Sequence, residues 1–279
     1  MSSSLSLTAH AKINLHLEVG KKRDDGFHEI VSLMQEISIS DEILVHLSDS
    51  DKCNLQVLGC ELGEENTIVK AYRAFQKITG IRFGIDVFLL KRIPIGAGLG
   101  GASSDAASLI VAMDWLLGTR LEHKTKIEIA CMVGSDVPFF LSGGSACVRG
   151  RGEIVERIRL HGAYVGILIY PDFPSFTKEA YEMIDGKCGI SKGESIELTT
   201  FHLFETQFFN HFELPLFLRY PKLKEIKEDF LNSGCDFALM SGAGSAVYGL
   251  YRSCAKAKIA QDYLSKKWKN CAFFIPIEK

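Results

Sequence analysis

The chain has 279 residues, 47% hydrophobic and 24% charged, with a formal net charge of -2, a composition typical of a globular protein with one large or two ordinary domains. Because no basic arm is present and no apolar run approaches the roughly 18 residues of a membrane span, we expect neither a nucleic-acid nor a membrane partner. Eight cysteines without C-x-x-C spacing, and an N-terminus without the charged-then-apolar order of a secretory signal, favour a reduced, cytoplasmic protein.

The first predicted element is a strand over residues 5–19, where apolar and polar residues alternate with the period of a strand. One face is expected to be buried. The other face carries polar side chains about 6.6 to 7 Å apart: His10, Lys12, Asn14 and His16. That face is either solvated or part of a binding site, and the charged turn that follows brings Phe27 and His28 side by side, which suits a flat ring that is stacked and hydrogen-bonded.

A second alternating strand is predicted over 37–47, and Asn66 is expected to begin a helix that ends at Gly80. A strand over 85–90 then leads into a glycine-rich run, 94–105. Glycines let backbone N–H groups approach an anion, and the positive end of the next helix attracts negative oxygens. The run therefore predicts a phosphate-binding loop and a nucleotide or phosphorylated ligand, against the alternative of a tight turn that only caps a helix.

Two common phosphate-binding motifs are excluded. A Walker A loop requires Gly-Lys followed by Ser or Thr, whereas Gly101 is followed by Ala102. A dinucleotide-binding fold requires a second strand that ends in an acid about 20 residues on, whereas the sequence predicts two helices, 104–117 and 124–133, each followed by a glycine.

Asp136 comes next, in a short turn before an apolar segment, 137–141. Its carboxylate could cap the turn, or it could accept a proton or pair with a lysine, and Lys12 is the candidate lysine. A hairpin of strands 145–148 and 154–160 follows. Its arginines fit a solvated surface better than a binding patch: Arg149, Arg151, Arg157 and Arg159.

A domain boundary is expected at about residue 160. Beyond it strands and helices alternate as in an α/β sandwich. The predicted elements are a strand over 164–170, a loop over 171–175, helices over 177–185, 203–212 and 222–232, a strand over 235–240, a glycine turn over 241–245, a strand over 246–251, a helix to about 267 and a strand over 272–277.

Three motifs in this order resemble those of the GHMP small-molecule kinases: the strand segment 12–15, the loop 94–104 and the turn 241–245. The resemblance spans nearly the whole chain. It implies a two-domain α+β fold, with an N-terminal mixed α/β domain over 1–160, a C-terminal ferredoxin-like α/β sandwich over 161–279 and a cleft between them.

Within that superfamily, segments 25–29, 65–67 and 134–140 are similar to those of the kinases that act on 4-diphosphocytidyl-2-C-methyl-D-erythritol in the non-mevalonate isoprenoid route. The resemblance implies transfer of the γ-phosphoryl group of ATP, with Mg²⁺, to a hydroxyl of this small molecule to give the 2-phosphate. The resemblance does not determine the oligomeric state, which is either a monomer or a homodimer. The alternatives are a GHMP kinase for another small alcohol, such as mevalonate or homoserine, and a nucleotide-binding regulator without turnover.

The resemblance also implies roles for individual residues. Lys12 and Asp136 match the catalytic pair. The residues that match the ATP site are Asn66, Pro94, Gly96, Gly98, Leu99, Gly100, Gly101, Ala102, Ser103 and Ser104, with Ser104 also a candidate metal contact. Those that match the acceptor site are Asn14, Phe27, His28, Thr177, Tyr181, Gly242 and Gly244, with the cytosine ring between Phe27 and Tyr181 and read by His28. Phe27 stands where a tyrosine is more usual, and Ala102 and Ala243 stand where a glycine and a serine are expected.

Overall fold

The computed structural model describes residues 4–173, 177–185 and 200–279. Within these ranges the first half forms a six-stranded sheet with four helices. Its strands are β1 (Ser4–Lys22), β2 (His28–Ser48), β3 (Cys53–Leu58), β4 (Gly84–Leu90), β5 (Ser145–Gly150) and β6 (Ile154–Arg157), and its helices are α1 (Thr67–Thr79), α2 (Gly101–Leu117), α3 (His123–Val133) and α4 (Val137–Ser142). The strand order is β3-β4-β2-β5-β6, with β1 antiparallel to β2 and β3 parallel to β4.

The second half contains β7 (Arg159–His161), β8 (Val165–Ile169), β9 (Thr200–His202), β10 (Phe237–Met240), β11 (Val247–Tyr251), β12 (Cys271–Phe274), α5 (Thr177–Asp185), α6 (Glu213–Arg219), α7 (Pro221–Asn232) and α8 (Cys254–Leu264). An antiparallel sheet of order β10-β11-β8-β12 forms its core. The four strands and the helices that pack on them follow each other along the chain as β8, α7, β10, β11, α8 and β12, which is the order of a ferredoxin-like unit. The predicted α+β fold and ferredoxin-like C-terminal sandwich are therefore confirmed, whereas the boundary at residue 160 stays a prediction.

Residues 11–19 of β1 are buried on both faces, although their sequence alternates. The apolar side chains of this stretch are buried as expected, but Lys12, Asn14 and His16 are also only 3%, 1% and 2% exposed. A solvated polar face, one of the two alternatives for this strand, is therefore excluded. Burying a polar side chain is costly unless it is hydrogen-bonded, and those of Lys12 and Asn14 are paired at the cavity described below.

Local signals place the ends of several helices. The Asn66 side chain accepts a hydrogen bond from Val69 N at 3.1 Å and caps α1, and Gly80 ends that helix in the left-handed conformation, at φ +70°. Helix α2 begins at Gly101, three residues before the predicted start, because the last residues of the glycine loop already adopt helical geometry.

The observed secondary structure differs from the sequence analysis at three places. The helix predicted over 203–212 is wrong: this segment runs beside β1, with Leu17 N donating to Phe209 O at 2.9 Å and His211 N donating to Leu17 O at 3.0 Å. The apolar chain after Asp136 forms the short helix α4, and the sequence analysis missed strand β3. Residues 174 and 175 of the predicted loop and Cys188 lie outside the described residues.

The seven cysteines in the described ranges are free thiols. In the same ranges, no helix combines the length and the apolar character needed to cross a membrane.

Candidate active site

A cavity of about 440 Å³ lies where β1, the glycine loop and the turn 241–245 meet. Most of the residues predicted for the site line it: Lys12, Asn14, Asn66, Pro94, Gly96, Gly98, Leu99, Gly100, Gly101, Ala102, Ser103, Asp136, Thr177, Tyr181 and Gly242. Four predicted residues do not line it: Phe27, His28, Ser104 and Gly244. Side chains separated by more than 200 residues in sequence thus surround one volume.

Lys12 and Asp136 lie together in this cavity, with Lys12 Nζ 3.4 Å from Asp136 Oδ2. Asp136 immediately precedes α4, but its side chain caps no backbone amide there, so the carboxylate faces the ammonium and the cavity. The Lys12 side chain is 4% exposed, whereas that of Asp136 is 30% exposed. The ammonium and the carboxylate attract each other across this distance, and the carboxylate is placed where it can accept a proton from a hydroxyl in the cavity.

A chain of hydrogen bonds fixes the position of Lys12. Its Nζ donates to Asn14 Oδ1 at 2.6 Å, Asn14 Nδ2 donates to Ser32 Oγ at 2.8 Å, and Ser32 Oγ donates to His16 O at 2.7 Å. From the second sheet, Tyr248 OH donates to Asn14 O at 2.8 Å. Ser32 and Tyr248 were not predicted, since their own sequence surroundings carry no signal for this contact.

The glycine loop is held against β1 and the turn 241–245. Lys12 N donates to Leu99 O at 2.9 Å, and Ser241 Oγ donates to Gly98 O at 2.9 Å. Gly98 has φ +75°, and a Cβ at this position would overlap the carbonyl oxygen of Ser241. Helix α2 begins after Gly100 without a side-chain cap. Its first amides can therefore bind an anion in the cavity.

A buried charge cluster that the sequence analysis missed lies next to α2. Lys91 Nζ contacts Asp41 and lies 2.8 Å from Asp105 Oδ2, and all three side chains are at most 5% exposed. Asp41 also accepts hydrogen bonds from the backbone amides of Arg92 and Ile93, whereas Asp105 Oδ1 is without a hydrogen-bond partner in the described structure. Burial, opposed by the charge of Lys91 and reinforced by that of Asp41, raises the pKa of Asp105 to about 7.

We expect Asp105→Asn to be more stable relative to the wild type at pH 8 than at pH 5. The raised pKa means that the folded protein holds this proton more tightly than the unfolded chain. The wild type therefore loses free energy of unfolding as pH rises from about 4 to about 7, and Asn removes this loss. The difference in free energy of unfolding between the two proteins should change by about 1 to 4 kcal/mol over this pH range, since a tenfold change in proton affinity corresponds to about 1.4 kcal/mol. Urea unfolding of both proteins across this range measures it, and a difference that stays flat or falls would contradict the expectation.

The three residues predicted to bind the cytosine base lie in two places: His28 is beside Tyr181, and Phe27 is beside Arg151. His28 stacks on Tyr181, with ring centroids 4.8 Å apart and planes at 24°, and Tyr181 meets Phe212 edge-on at 4.9 Å. Burial, and to a lesser degree the charge of Asp136, raises the pKa of Tyr181 to about 12, which keeps its hydroxyl protonated. Phe27 is 45% exposed and lies under the guanidinium of Arg151. Flat rings therefore border the Asp136 side of the cavity.

Two family models match the chain. The GHMP kinases N terminal domain matches residues 66–144, which include the glycine loop and Asp136. The GHMP kinases C terminal domain matches residues 197–270, which include the turn 241–245.

Among curated proteins, the chain is similar over almost its whole length to enzymes of one name. It is 40% identical to the 4-diphosphocytidyl-2-C-methyl-D-erythritol kinase of Treponema pallidum, covering 96% of this chain and 97% of that protein. It is 36% identical to the enzyme of the same name from Thermodesulfovibrio yellowstonii, covering 95% of each.

Solved structures show the same similarity. A crystal structure of 4-(cytidine 5'-diphospho)-2C-methyl-D-erythritol kinase matches with a TM-score of 0.80 at 30% identity, covering 99% of this chain and all of that one. Homoserine kinase from Cytophaga hutchinsonii matches with a TM-score of 0.76 at 20% identity, covering 100% and 96%. At that identity the second match shows a shared fold alone.

Proposed function

The chain belongs to the GHMP kinase family, and on that basis we propose that it transfers the γ-phosphoryl group of ATP to 4-diphosphocytidyl-2-C-methyl-D-erythritol, giving the 2-phosphate in the non-mevalonate isoprenoid route. One observation carries the reaction type: the Lys12–Asp136 pair, 3.4 Å apart, lies in the cavity lined by the glycine loop. Relatives that bear the name of this kinase cover 95% or more of the chain at 36–40% identity, and they support the choice of acceptor.

Each part of the cavity has a role in this reaction. Phosphoryl transfer requires chiefly alignment and stabilisation of charge. The first amides of α2 bind phosphate oxygens, and Asp136 orients the acceptor hydroxyl and accepts its proton. Lys12 pairs with that carboxylate and offsets negative charge on the group in transfer. Asn66 lines the same cavity, and its proposed role is to lie beside the adenine.

We propose Mg²⁺ as the metal that accompanies ATP. In the described ranges no three His, Cys, Asp or Glu side chains form a metal cluster, but Mg²⁺ commonly takes only one or two protein oxygens and otherwise binds phosphates and water. The metal would neutralise charge on the phosphate oxygens. Ser104 is a candidate contact but is 2% exposed. Ser103 lines the cavity and is a second candidate contact.

We further propose that the protein works in the cytoplasm, as a monomer or a homodimer, on small molecules and without a nucleic-acid or membrane partner. Its N-terminal domain spans residues 1–160 and its C-terminal domain 161–279.

The acceptor is tested with purified protein, ATP and each of three alcohols. We expect ADP formation with 4-diphosphocytidyl-2-C-methyl-D-erythritol and none with mevalonate or homoserine. Activity on mevalonate or homoserine alone would reject the proposed acceptor. Absence of ADP formation with every alcohol, combined with tight ATP binding, would favour the nucleotide-binding regulator.

A further inference from the structure

Strand β1 bulges at the point where it reaches the cavity. In the β1–β2 ladder Asn14 is opposite Met34 and His16 is opposite Leu33, so β1 has one residue more than β2 between these two pairs. A β-bulge bends its strand, changes the direction of side chains and is over-represented next to active sites. The bulge at Leu15 therefore lies between the side chain of Asn14, which lines the cavity, and the backbone carbonyl of His16.

Ser32 of β2 connects the two groups on either side of this bulge. It is 0% exposed. Its hydroxyl donates to His16 O at 2.7 Å, and its oxygen accepts a hydrogen bond from Asn14 Nδ2 at 2.8 Å. Because a backbone carbonyl only accepts, the single hydroxyl proton is committed to His16, and the Ser32 oxygen can only accept from Asn14. Asn14 must therefore direct its NH₂ group, and not its carbonyl oxygen, towards Ser32.

This polarity determines which atom of the Asn14 carboxamide faces Lys12. With Nδ2 directed to Ser32, Oδ1 is directed to Lys12, whose Nζ donates to it at 2.6 Å. A lysine ammonium has three donors and no acceptor, so the opposite orientation of the carboxamide would place two donor groups against each other. Asn14 and Lys12 are at most 3% exposed, and a hydrogen bond lost at such depth is costly. The bond between Asn14 and Lys12 thus depends on the Ser32 hydroxyl.

We propose that Ser32 is a positioning residue for phosphoryl transfer: its hydroxyl orients the Asn14 carboxamide, which in turn holds the Lys12 ammonium. The inference rests on the proposed function, in which Lys12 and Asp136 are the catalytic pair. Without the hydroxyl the carboxamide can rotate, and Lys12 loses a fixed acceptor. Its Nζ lies 3.4 Å from Asp136 Oδ2, so a small displacement alters the pairing of the two charges. The loss should fall on kcat, because Ser32 is outside the described residues that line the cavity.

The test is a double-mutant cycle of Ser32→Ala and Asn14→Ala, in which kcat and the KM of ATP are measured. We expect Ser32→Ala alone to lower kcat about 5- to 100-fold, the range for a buried polar group that loses its partner, and to change the KM of ATP less than about twofold. In the Asn14→Ala background the same substitution should lower kcat further by less than about twofold, because no carboxamide remains to be oriented.

Two further variants separate the hydroxyl from packing. Ser32→Thr keeps the hydroxyl and should bring kcat to within about threefold of the wild type. Ser233→Ala is the matched control, since the Ser233 hydroxyl donates to Phe230 O at 2.6 Å and Ser233 is also outside the described residues that line the cavity. We expect its kcat to stay within about twofold of the wild type. Melting temperatures of all variants show whether each is folded under the conditions of the assay.

A merely structural role of Ser32 predicts a different pattern. If the side chain only fills space between the strands, Ser32→Ala lowers kcat by the same factor with and without the Asn14 carboxamide, and that result overturns the inference. A Ser32→Thr variant with the melting temperature of the wild type and the kcat of Ser32→Ala also overturns it. The proposed function is judged separately by ADP formation in the wild type: an active wild type with an unaltered Ser32→Ala variant refutes the role of Ser32 alone, and an inactive wild type refutes both.

Discussion

Asp136→Asn is expected to lower kcat by about 10²- to 10⁴-fold, the contribution typical of a positioned general base, while the affinity for ATP stays close to that of the wild type. Asn keeps the size of the side chain, so α4 and its packing are preserved, but it neither accepts the proton of the hydroxyl nor attracts Lys12. The loss should therefore fall on turnover. Single-turnover kinetics and calorimetric titration of ATP measure the two quantities.

Asp86→Asn is the matched control, since Asp86 lies on β4 and accepts a hydrogen bond from Asn54 at the surface. We expect its kcat to stay within about twofold of the wild type, because surface substitutions have small effects. A kcat for Asp136→Asn within about threefold of the wild type would remove the carboxylate from the chemistry. It would leave Lys12 and the α2 amides as the groups that act on the transferred phosphoryl.

The parts of the fold that the sequence predicted well are those set by local chemistry. Asn66 and Gly80 mark the two ends of α1 because a side-chain acceptor and a left-handed glycine satisfy backbone groups within one turn. The strict alternation over 5–19 likewise predicted β1. What alternation could not show is that both faces would be covered, since the covering groups, Leu99 and the turn 241–245, lie far along the chain.

Contacts between segments distant in sequence also explain why the helix predicted over 203–212 is wrong. Residues 203–212 carry apolar side chains at spacings that a helix can bury, yet their backbone pairs with Leu17 of β1. A tertiary contact of this kind overrides local preference. Asp136 shows the opposite case: two roles were open from the sequence, and the structure decides against the cap because its side chain contacts Lys12.

The charge cluster of Lys91, Asp41 and Asp105 could not be predicted from the sequence either, because it also depends on contacts between distant segments. Each residue is unremarkable in its own segment, and the three meet only when β2, the end of β4 and the start of α2 pack together. Two carboxylates around one ammonium are costly to bury. Such a cluster beside the N-terminus of α2 is recognised from coordinates alone.

Gly98→Ala is expected to abolish ATP binding at concentrations that saturate the wild type and to lower the melting temperature. At φ +75° an alanine is strained, and its Cβ would overlap Ser241 O and lie 2.9 Å from Gly244 O. Neither contact can be relieved by rotating a side chain, because both atoms belong to the backbone. The loop must therefore move away from the turn 241–245, which breaks the bond from Ser241 Oγ to Gly98 O and displaces the amides for which we propose phosphate binding.

Gly80→Ala separates backbone strain from this displacement. Gly80 has φ +70°, close to that of Gly98, but a Cβ there would meet nothing within 4 Å. We expect Gly80→Ala to lose about 1–2 kcal/mol of stability from the left-handed conformation and to bind ATP normally. Because the two variants share the strain and differ in the overlap with Ser241, equal ATP affinities would mean that contact with the turn 241–245 does not hold the loop in its binding geometry.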